Sequence, residues 1–321
     1  MPRGRPSVAS RSTSRACDSG PGRLACSVPL ADAGRRVPLH GWAGLAIVLG
    51  AEALLFGGDR VVAEWFTPIV WTGYVLFIDA LVARLTGRSY LTTARSELVL
   101  VALVSIAGWW LFEWYNAPRF WRGGGDADGI WWQYHGLEPN LFLRRVGYDW
   151  AFATIFPALF LTAAALRATV FARCRVRPWA PSRRCLVATV VIGVVAAVLP
   201  LIVVSRWLVP LVWLGWLLAL EPINARRGRP SWLGDLARGD ASKLLALLAS
   251  GAVCGVLWEF WNYWATTKWT YTVPYAGNVK IFEMPVLGYL GFPPFALECY
   301  AMYHAVRGVL ATDSDTGATL I

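Results

Sequence analysis

Two acidic side chains in apolar, tryptophan-rich segments are candidates for chemistry in this chain. Glu113 is followed three residues later by Asn116, and Glu259 is followed by Asn262 at the same spacing. In a helix, this spacing puts the acid and the amide on one face. An acid inside a membrane-like helix is costly in lipid, so it normally faces a protein interior or a polar cavity and marks function. The functional interpretation is a proton donor or cation stabiliser that is oriented by an amide.

A structural interpretation of the two Glu–Asn pairs stays open. A polar cluster at a helix end also binds the backbone of the following loop, or the other copy of the same motif. The motif occurs twice, as Leu-Phe-Glu-Trp-Tyr-Asn ending at Asn116 and as Leu-Trp-Glu-Phe-Trp-Asn ending at Asn262. Because one active site rarely needs both copies, the repetition favours the structural role slightly.

Two further acids, Glu283 and Glu298, lie in the segment with the most irregular pattern. Three prolines interrupt it: Pro285, Pro293 and Pro294. Prolines free backbone carbonyls, which a membrane tolerates mainly beside protein or a polar cavity. The corresponding stretch earlier in the chain has Asp149 but no match to Glu283. This asymmetry predicts that the second copy carries the chemistry and that the first supports it.

Long apolar helices must position these acids. The chain has 321 residues, of which 56% are hydrophobic and 16% are charged, a composition typical of a polytopic membrane protein. Apolar stretches of about 17–25 residues are long enough to cross the bilayer core. We therefore predict an all-α integral membrane protein with about eight transmembrane helices, near 39–57, 65–85, 98–116, 147–171, 185–205, 207–224, 244–264 and 281–305.

The chain also repeats itself. Residues 65–91 align without a gap with residues 207–233, which matches Asp79 with Glu221. Each acid precedes an arginine by five residues, Arg84 and Arg226, so the favoured interpretation of this pair is an ion pair at the interface. We predict two four-helix repeats, 38–172 and 185–307. An even number of spans gives both repeats the same orientation, with a pseudo-twofold axis along the membrane normal.

The remaining segments are a basic N-terminal tail over 1–37, which we predict to be disordered, a basic linker over 173–184 and a polar tail over 308–321. The net charge of +10 comes mostly from arginines in the tail and in alternate loops. The positive-inside rule explains this distribution better than nucleic-acid binding does. It predicts a multi-pass protein of the cytoplasmic membrane with both termini in the cytoplasm.

Cofactor chemistry has little support in the sequence. The three histidines are scattered, the six cysteines lack metal-like or redox spacing, and no phosphate-binding loop or nucleophile elbow occurs. We expect no metal, no organic cofactor and, because cytoplasmic thiols stay reduced, no structural disulfide.

The second repeat resembles the lycopene cyclase-domain type of membrane carotenoid cyclase. The resemblance rests on Trp269-x-Tyr271, a spacer, and Phe282-Glu283-Met284-Pro285 at the head of an aromatic-rich helix. It implies a membrane enzyme that cyclises an isoprenoid or carotenoid-like lipid, with Glu283 as a catalytic acid.

The chemistry of such a reaction suits the composition. Protonation of an alkene needs a neutral carboxylic acid, and burial in an apolar site can raise the pKa of a glutamic acid by about 3–5. The carbocation then needs a dry pocket and aromatic faces, which attract cations by about 0.5–2 kcal/mol. We predict that the acids or cation stabilisers are Glu283, Glu259 and Glu298. The predicted substrate-binding residues are Asn262, Trp258, Trp261, Trp269, Tyr271, Glu113 and Asn116.

Two other functions stay open. Membrane-buried acids also serve proton relays, and parallel repeats are common in transporters, so the chain could be a transporter or lipid-handling protein. In the third interpretation it is a non-catalytic scaffold whose acids only hold the repeats together. The expected partner is a membrane lipid or isoprenoid, with a second copy or a membrane subunit as a further partner.

Overall fold

The computed structural model describes residues 25–27, 35–117, 129–274, 277–310 and 320, and within them the chain is predominantly helical. Seven helical segments among the described residues are long and apolar enough to cross a membrane, and Leu141–Ala168 counts as one of them. This agrees with the predicted all-α membrane class.

The helices are α1 (Leu39–Phe56), α2 (Arg60–Glu64), α3 (Phe66–Thr86), α4 (Tyr90–Thr93), α5 (Arg95–Asn116), α6 (Leu141–Ala153), α7 (Ile155–Ala168), α8 (Arg183–Ile202), α9 (Val209–Arg226), α10 (Trp232–Ala237), α11 (Ser242–Trp264) and α12 (Phe292–Leu310). The strands are β1 (Ala25–Ser27), β2 (Trp132–His135), β3 (Arg173–Arg175), β4 (Lys268–Tyr271), β5 (Lys280–Ile281) and β6 (Met284–Pro285). They form three two-stranded antiparallel sheets, β1 with β3, β2 with β4 and β5 with β6.

Glycines allow two helical hairpins to pack backbone against backbone. In the first hairpin, Gly44 of α1 lies against the main chain of Gly73 and Phe77 in α3. In the second, Gly193 of α8 lies against Ala219 of α9, and Gly215 lies against Ala197. In each hairpin, residues nearer the start of one helix meet residues nearer the end of the other. The two helices of each hairpin therefore run antiparallel.

The two matched acids Asp79 and Glu221 hold the ends of these hairpins. Each accepts from a serine hydroxyl and from a backbone N–H of the short helix that follows. The distances are 2.7 Å from Ser89 Oγ and 3.2 Å from Leu91 N to Asp79, and 2.6 Å from Ser231 Oγ and 2.9 Å from Leu233 N to Glu221. The two serines also cap α4 and α10, whose first N–H groups have no partner within the helix.

The ion pairs predicted between these acids and Arg84 and Arg226 do not form among the described residues. Instead, His40 Nε2 lies at hydrogen-bond distance, 3.0 Å, from Asp79 Oδ2. The serine and the helix N–H groups reach the acids because the chain turns back immediately after α3 and α9.

Two predicted spans have different limits in the structure. The span predicted at 147–171 consists of two helices, α6 and α7, which meet at Thr154. The span predicted at 281–305 begins only at Phe292, since 280–291 forms a small hairpin and a 3₁₀ helix (Val286–Gly291). Pro285 lacks the N–H that a continuous helix needs.

The tails lie mostly outside the described residues. Of the segment predicted as a disordered tail, the structure describes β1, which pairs with β3 of the predicted linker, and residues 35–37. Gly308, Val309 and Leu310 belong to α12 rather than to a polar tail. The expectation of no disulfide is wrong, because Cys174 in β3 is disulfide-bonded; cysteine spacing along the chain does not reveal such a pairing.

We expect Gly44→Val to destabilise the protein by about 1–3 kcal/mol, because there is no space for the added side chain. A Cβ at Gly44 would lie 2.5 Å from the Gly73 carbonyl oxygen and 2.6 Å from the Phe77 nitrogen. Thermal unfolding in detergent measures the effect.

The matched control is Gly50→Ala on the same helix, where nothing lies within 4 Å of the new Cβ. Its unfolding temperature should stay the same or rise, since alanine favours a helix over glycine by about 1 kcal/mol. Equal unfolding temperatures for Gly44→Val and Gly50→Ala would contradict the close backbone packing.

Candidate functional site

A two-stranded sheet joins the loops that follow α5 and α11. Strand β2 pairs with β4 so that Trp132 lies opposite Tyr271 and Tyr134 lies opposite Trp269. The two strands carry similar triplets, Trp132-Gln-Tyr134 and Trp269-Thr-Tyr271. Each tryptophan is therefore paired with the tyrosine of the other triplet, which is the pattern that a local twofold axis through the sheet produces.

The two asparagines anchor this sheet to the helix ends. The Asn116 amide donates to the Trp132 carbonyl oxygen (2.9 Å) and accepts from the backbone of Trp131 (3.0 Å) and Trp132 (3.2 Å). Asn262 donates to the Trp269 carbonyl oxygen (2.8 Å) and accepts from its N–H (2.9 Å). Both asparagines thus bind loop backbone, as the structural interpretation predicted for them.

The Glu113 carboxylate accepts from three aromatic donors. Its Oε1 accepts from Trp109 Nε1 at 2.9 Å, from Trp132 Nε1 at 3.1 Å and from the Tyr134 hydroxyl at 2.5 Å. Its Oε2 receives a longer contact of 3.3 Å from the same Trp132 Nε1. The aromatic side chains around Glu113 therefore hold this acid in place.

Glu259 occupies the equivalent position but has fewer donors. Its Oε1 accepts from the Tyr271 hydroxyl at 2.7 Å and from Trp269 Nε1 at 3.4 Å. Its Oε2 is buried and has no hydrogen-bond partner. Glu259 has one donor fewer because Gly255 stands where the first half of the chain has Trp109, which donates to Oε1 of Glu113. The ring of Phe292 packs against Gly255 instead. Oε2 of Glu113 is contacted by Trp132 at 3.3 Å, whereas the matched Trp269 contacts only Oε1 of Glu259.

The Tyr271 hydroxyl lies between Trp269 and Glu259. Trp269 Nε1 donates to it at 2.8 Å, and the hydroxyl donates to Glu259. Burial, with the adjacent Glu259 carboxyl, raises the pKa of Tyr271 well above its ordinary value. Tyr271 therefore remains protonated, and remains a donor to Glu259, over the whole physiological pH range.

A cavity of about 480 Å³ lies beside this sheet. Its wall is strongly aromatic and comes from both halves of the chain. Matched positions of α3 and α9 both contribute, Pro68 and Trp71 from α3 and Pro210 and Trp213 from α9. Glu259 is among the lining residues, whereas Glu113 is not. Of the four candidate acids in the sequence analysis, only Glu259 is therefore in the cavity wall.

Glu283 and Glu298 lie outside the lining. Glu283 forms an ion pair of 2.7 Å with Lys268 at the edge of the β2–β4 sheet. It follows Phe282, which has a left-handed backbone conformation (φ 56°). Glu298 is fully buried between α12 and α9, where its Oε1 accepts from Trp216 N (3.0 Å) and Leu217 N (3.4 Å). Each acid therefore links two chain segments.

The predicted aromatic residues divide between the cavity and its support. Trp258, Trp269 and Tyr271 line the cavity. Trp261 lies behind them, with its Nε1 donating to Glu52 at 2.9 Å and its ring 5.0 Å from that of Trp71.

Sequence reasoning missed Trp71 and Trp213 as cavity residues. The available signal was the gap-free alignment of 65–91 with 207–233, which matches the two tryptophans as well as the acids.

Among the described residues, no group of three or more histidine, cysteine, aspartate or glutamate side chains could hold a metal ion.

Comparison with known proteins adds no relative. No protein-family model, no curated protein and no solved structure matches the chain.

We expect Asn262→Ala to destabilise the protein by about 2–3 kcal/mol, because two hydrogen bonds are lost and the Trp269 backbone is left without partners. Thermal unfolding measures the loss, and faster proteolysis between α11 and β4 should accompany it. Asn140→Ala is the control, since that exposed asparagine caps α6, a contribution of about 1 kcal/mol. Equal losses in the two variants would show that Asn262 does not anchor the sheet.

Proposed function

We propose that the protein is a membrane enzyme that isomerises or cyclises an isoprenoid-like lipid, with Glu259 as the proton donor. The observation that carries the proposal is that Glu259, whose buried Oε2 has no hydrogen-bond partner, is among the residues that line an apolar, aromatic cavity. A neutral carboxylic acid at this oxygen would present its proton without competition from protein acceptors.

The surroundings of Glu259 suit an acid-initiated reaction. The tyrosine and tryptophan donors on Oε1 leave that oxygen ready to accept negative charge when the proton leaves Oε2. The ring of Trp258 lies 5.0 Å from that of Trp71 and 6.0 Å from that of Phe295, and all three residues line the cavity. Such faces attract a carbocation and offer no nucleophile to trap it.

The other acids fit structural roles better. Glu113 has donors on both oxygens, and Glu283 is neutralised by Lys268. Glu221 and Glu298 each keep one unpaired oxygen, but neither lines the cavity. We therefore assign the chemistry to Glu259. Glu283 links its loop to β4 through Lys268, and Glu298 links α12 to α9.

We also propose that the chain consists of two parallel four-helix repeats with eight spans, α12 being the eighth. Four matched sets of contacts support the repeats: the two glycine-packed hairpins, the serine bonds of Asp79 and Glu221, the two asparagine anchors and the pairing of β2 with β4. The cavity then lies on the pseudo-twofold axis between the repeats.

For orientation, we propose that the basic segments and both termini face the cytoplasm of a cell membrane, as the arginine distribution indicates. The disulfide at Cys174 opposes this orientation, because disulfides persist in oxidising compartments. With the basic segments in the cytoplasm, the cavity and the β2–β4 sheet would lie in the outer half of the membrane.

The catalytic proposal is tested in a bacterial host that is supplied with acyclic carotenoid precursors. Liquid chromatography with mass spectrometry should detect a product of unchanged mass and shifted retention. In Glu259→Gln, the amount of product should fall by about 100-fold or more, as for loss of a general acid.

The matched control is Glu221→Gln, an equally buried acid outside the cavity, compared at equal amounts of folded protein. It should keep the turnover per folded molecule. Loss of product in Glu283→Gln or Glu298→Gln, with Glu259→Gln active, would assign the acid elsewhere. No product from the unaltered chain would leave ligand transport or scaffolding as the function.

Orientation is tested with Cys185, which is exposed at the start of α8, in a variant with Cys17, Cys26 and Cys174 replaced by serine. A membrane-impermeant maleimide should label Cys185 in lysed cells but not in intact ones. Asn140→Cys, exposed before α6, should be labelled in both. Labelling of Cys185 in intact cells would reverse the proposed orientation.

A further inference from the structure

A row of exposed arginines lies on one face of the segment that follows α7. Arg173, Arg175 and Arg177 are all exposed, whereas Cys174 between them is buried and Val176 is half-buried. This alternation is that of an extended strand, in which every second side chain lies on the same face. At a rise of about 3.3 Å per residue, neighbouring arginines are about 7 Å apart. We call these three arginines the arginine row.

Backbone hydrogen bonds fix the arginine row beside the segment that leads into α11. The N–H of Ala241 donates to the carbonyl oxygen of Cys174 at 2.9 Å, and the N–H of Val176 donates to the carbonyl oxygen of Gly239 at 3.1 Å. Strand β1 also pairs with β3, which contains the first two arginines of the row. The row is therefore an ordered part of the fold with a fixed spacing of its charges.

The arginine row lies at the level where two candidate spans reach the membrane surface. The segments Leu141–Ala168 and Ser242–Trp264 are both long and apolar enough to cross a bilayer. The row follows shortly after the first segment ends, and the N–H of Cys174 donates to Ser242 Oγ at 2.9 Å, at the start of the second. Trp179, which comes next after the row, is 55% exposed, and tryptophan is enriched where a membrane meets water. The row is therefore at the height of the lipid head groups.

The acids nearest to the arginine row have other partners. Asp240 lies opposite the middle arginine of the row, and it accepts from the N–H of Ser242 at 2.9 Å. Asp235 forms ion pairs with Lys243, at 2.9 Å, and with Arg238. Among the described residues, no acid forms an ion pair with an arginine of the row. The row therefore presents positive charge that remains available to a ligand.

We propose that the arginine row binds the phosphate group of an anionic phospholipid at the membrane surface. Guanidinium groups bind phosphate through paired hydrogen bonds, and basic clusters at the ends of membrane helices recognise acidic head groups. The ring of Trp179 then lies among the head groups beside the row. No residue of 173–179 lines the cavity, so this lipid site is separate from the proposed reaction and does not depend on Glu259.

The test is a competition between two phospholipids that differ only in the head group. The full chain in detergent receives equal amounts of phosphatidylglycerol and phosphatidylcholine with identical acyl chains, and native mass spectrometry counts the lipids that stay bound. The anionic lipid should be preferred by about fivefold or more, which is the effect of about 1 kcal/mol from one arginine near the surface. Equal occupancy by the two lipids would overturn the proposal.

Two double variants with the same change of charge locate the site. Arg173→Gln with Arg177→Gln should lower the preference to about twofold or less. Arg226→Gln with Arg227→Gln removes two exposed arginines at the end of α9 and should keep the preference. Because all four side chains are exposed, both variants should unfold at the temperature of the unaltered protein. An equal loss of preference in the two variants would show that the lipid responds to overall charge, and the row would not be a site.

Two other ligands distinguish the phospholipid from other sources of phosphate. Excess inorganic phosphate should leave phosphatidylglycerol bound, because it lacks the acyl chains that add to the affinity of a lipid. Displacement would make the row a site for a soluble phosphate. A single-stranded RNA oligonucleotide should bind the two double variants equally, since both have lost the same charge. Weaker RNA binding in the Arg173→Gln and Arg177→Gln variant alone would assign the row to nucleic acid and overturn the proposal.

Discussion

Burial of a carboxyl group in an apolar helix bundle is the constraint on which the rest of this structure depends. A buried acid without hydrogen-bond donors is expensive, and the chain meets this cost with a donor set beside each acid. Asp79 and Glu221 have a serine and the start of a short helix, and Glu113 has three aromatic donors. The turns after α3 and α9, and the sheet that covers α5 and α11, can all be understood as ways to bring donors to acids.

The matched acids Glu113 and Glu259 differ in their donors. Trp132 contacts both oxygens of Glu113, whereas the matched Trp269 contacts only Oε1 of Glu259, whose Oε2 has no partner. Glu259 also lacks a counterpart of Trp109, because Gly255 stands at that position and the ring of Phe292, the first residue of α12, packs against it. The late start of α12 after the proline-rich segment and the smaller donor set of Glu259 therefore meet at Gly255.

Much of the helical framework could be predicted from the sequence, because long apolar stretches and a gap-free internal match are local signals. The partners of the acids could not. Closeness in the chain favours Arg84 as the partner of Asp79. The actual donors, Ser89 and Leu91, reach Asp79 because the chain turns back sharply after α3. The place of Glu283 near Pro285 favours this residue as a catalytic acid. Its position outside the cavity lining depends on β5 and β6, which are too short to predict. The cavity itself is a property of packing between distant helices, and no periodicity encodes it.

The antiparallel pairing of β2 with β4 has a consequence for how the protein is made. The two strands are distant in sequence: His135 and Thr270, which join their side chains at 2.8 Å, are 135 residues apart. At ordinary rates of translation, β4 follows β2 by on the order of ten seconds. During this interval the first half is already long enough to enter the membrane, yet its strand β2 has no partner strand. Assembly of the cavity must therefore wait for synthesis of the second half, and a chain arrested between them would display an unpaired, tryptophan-rich edge for a quality-control protease to recognise.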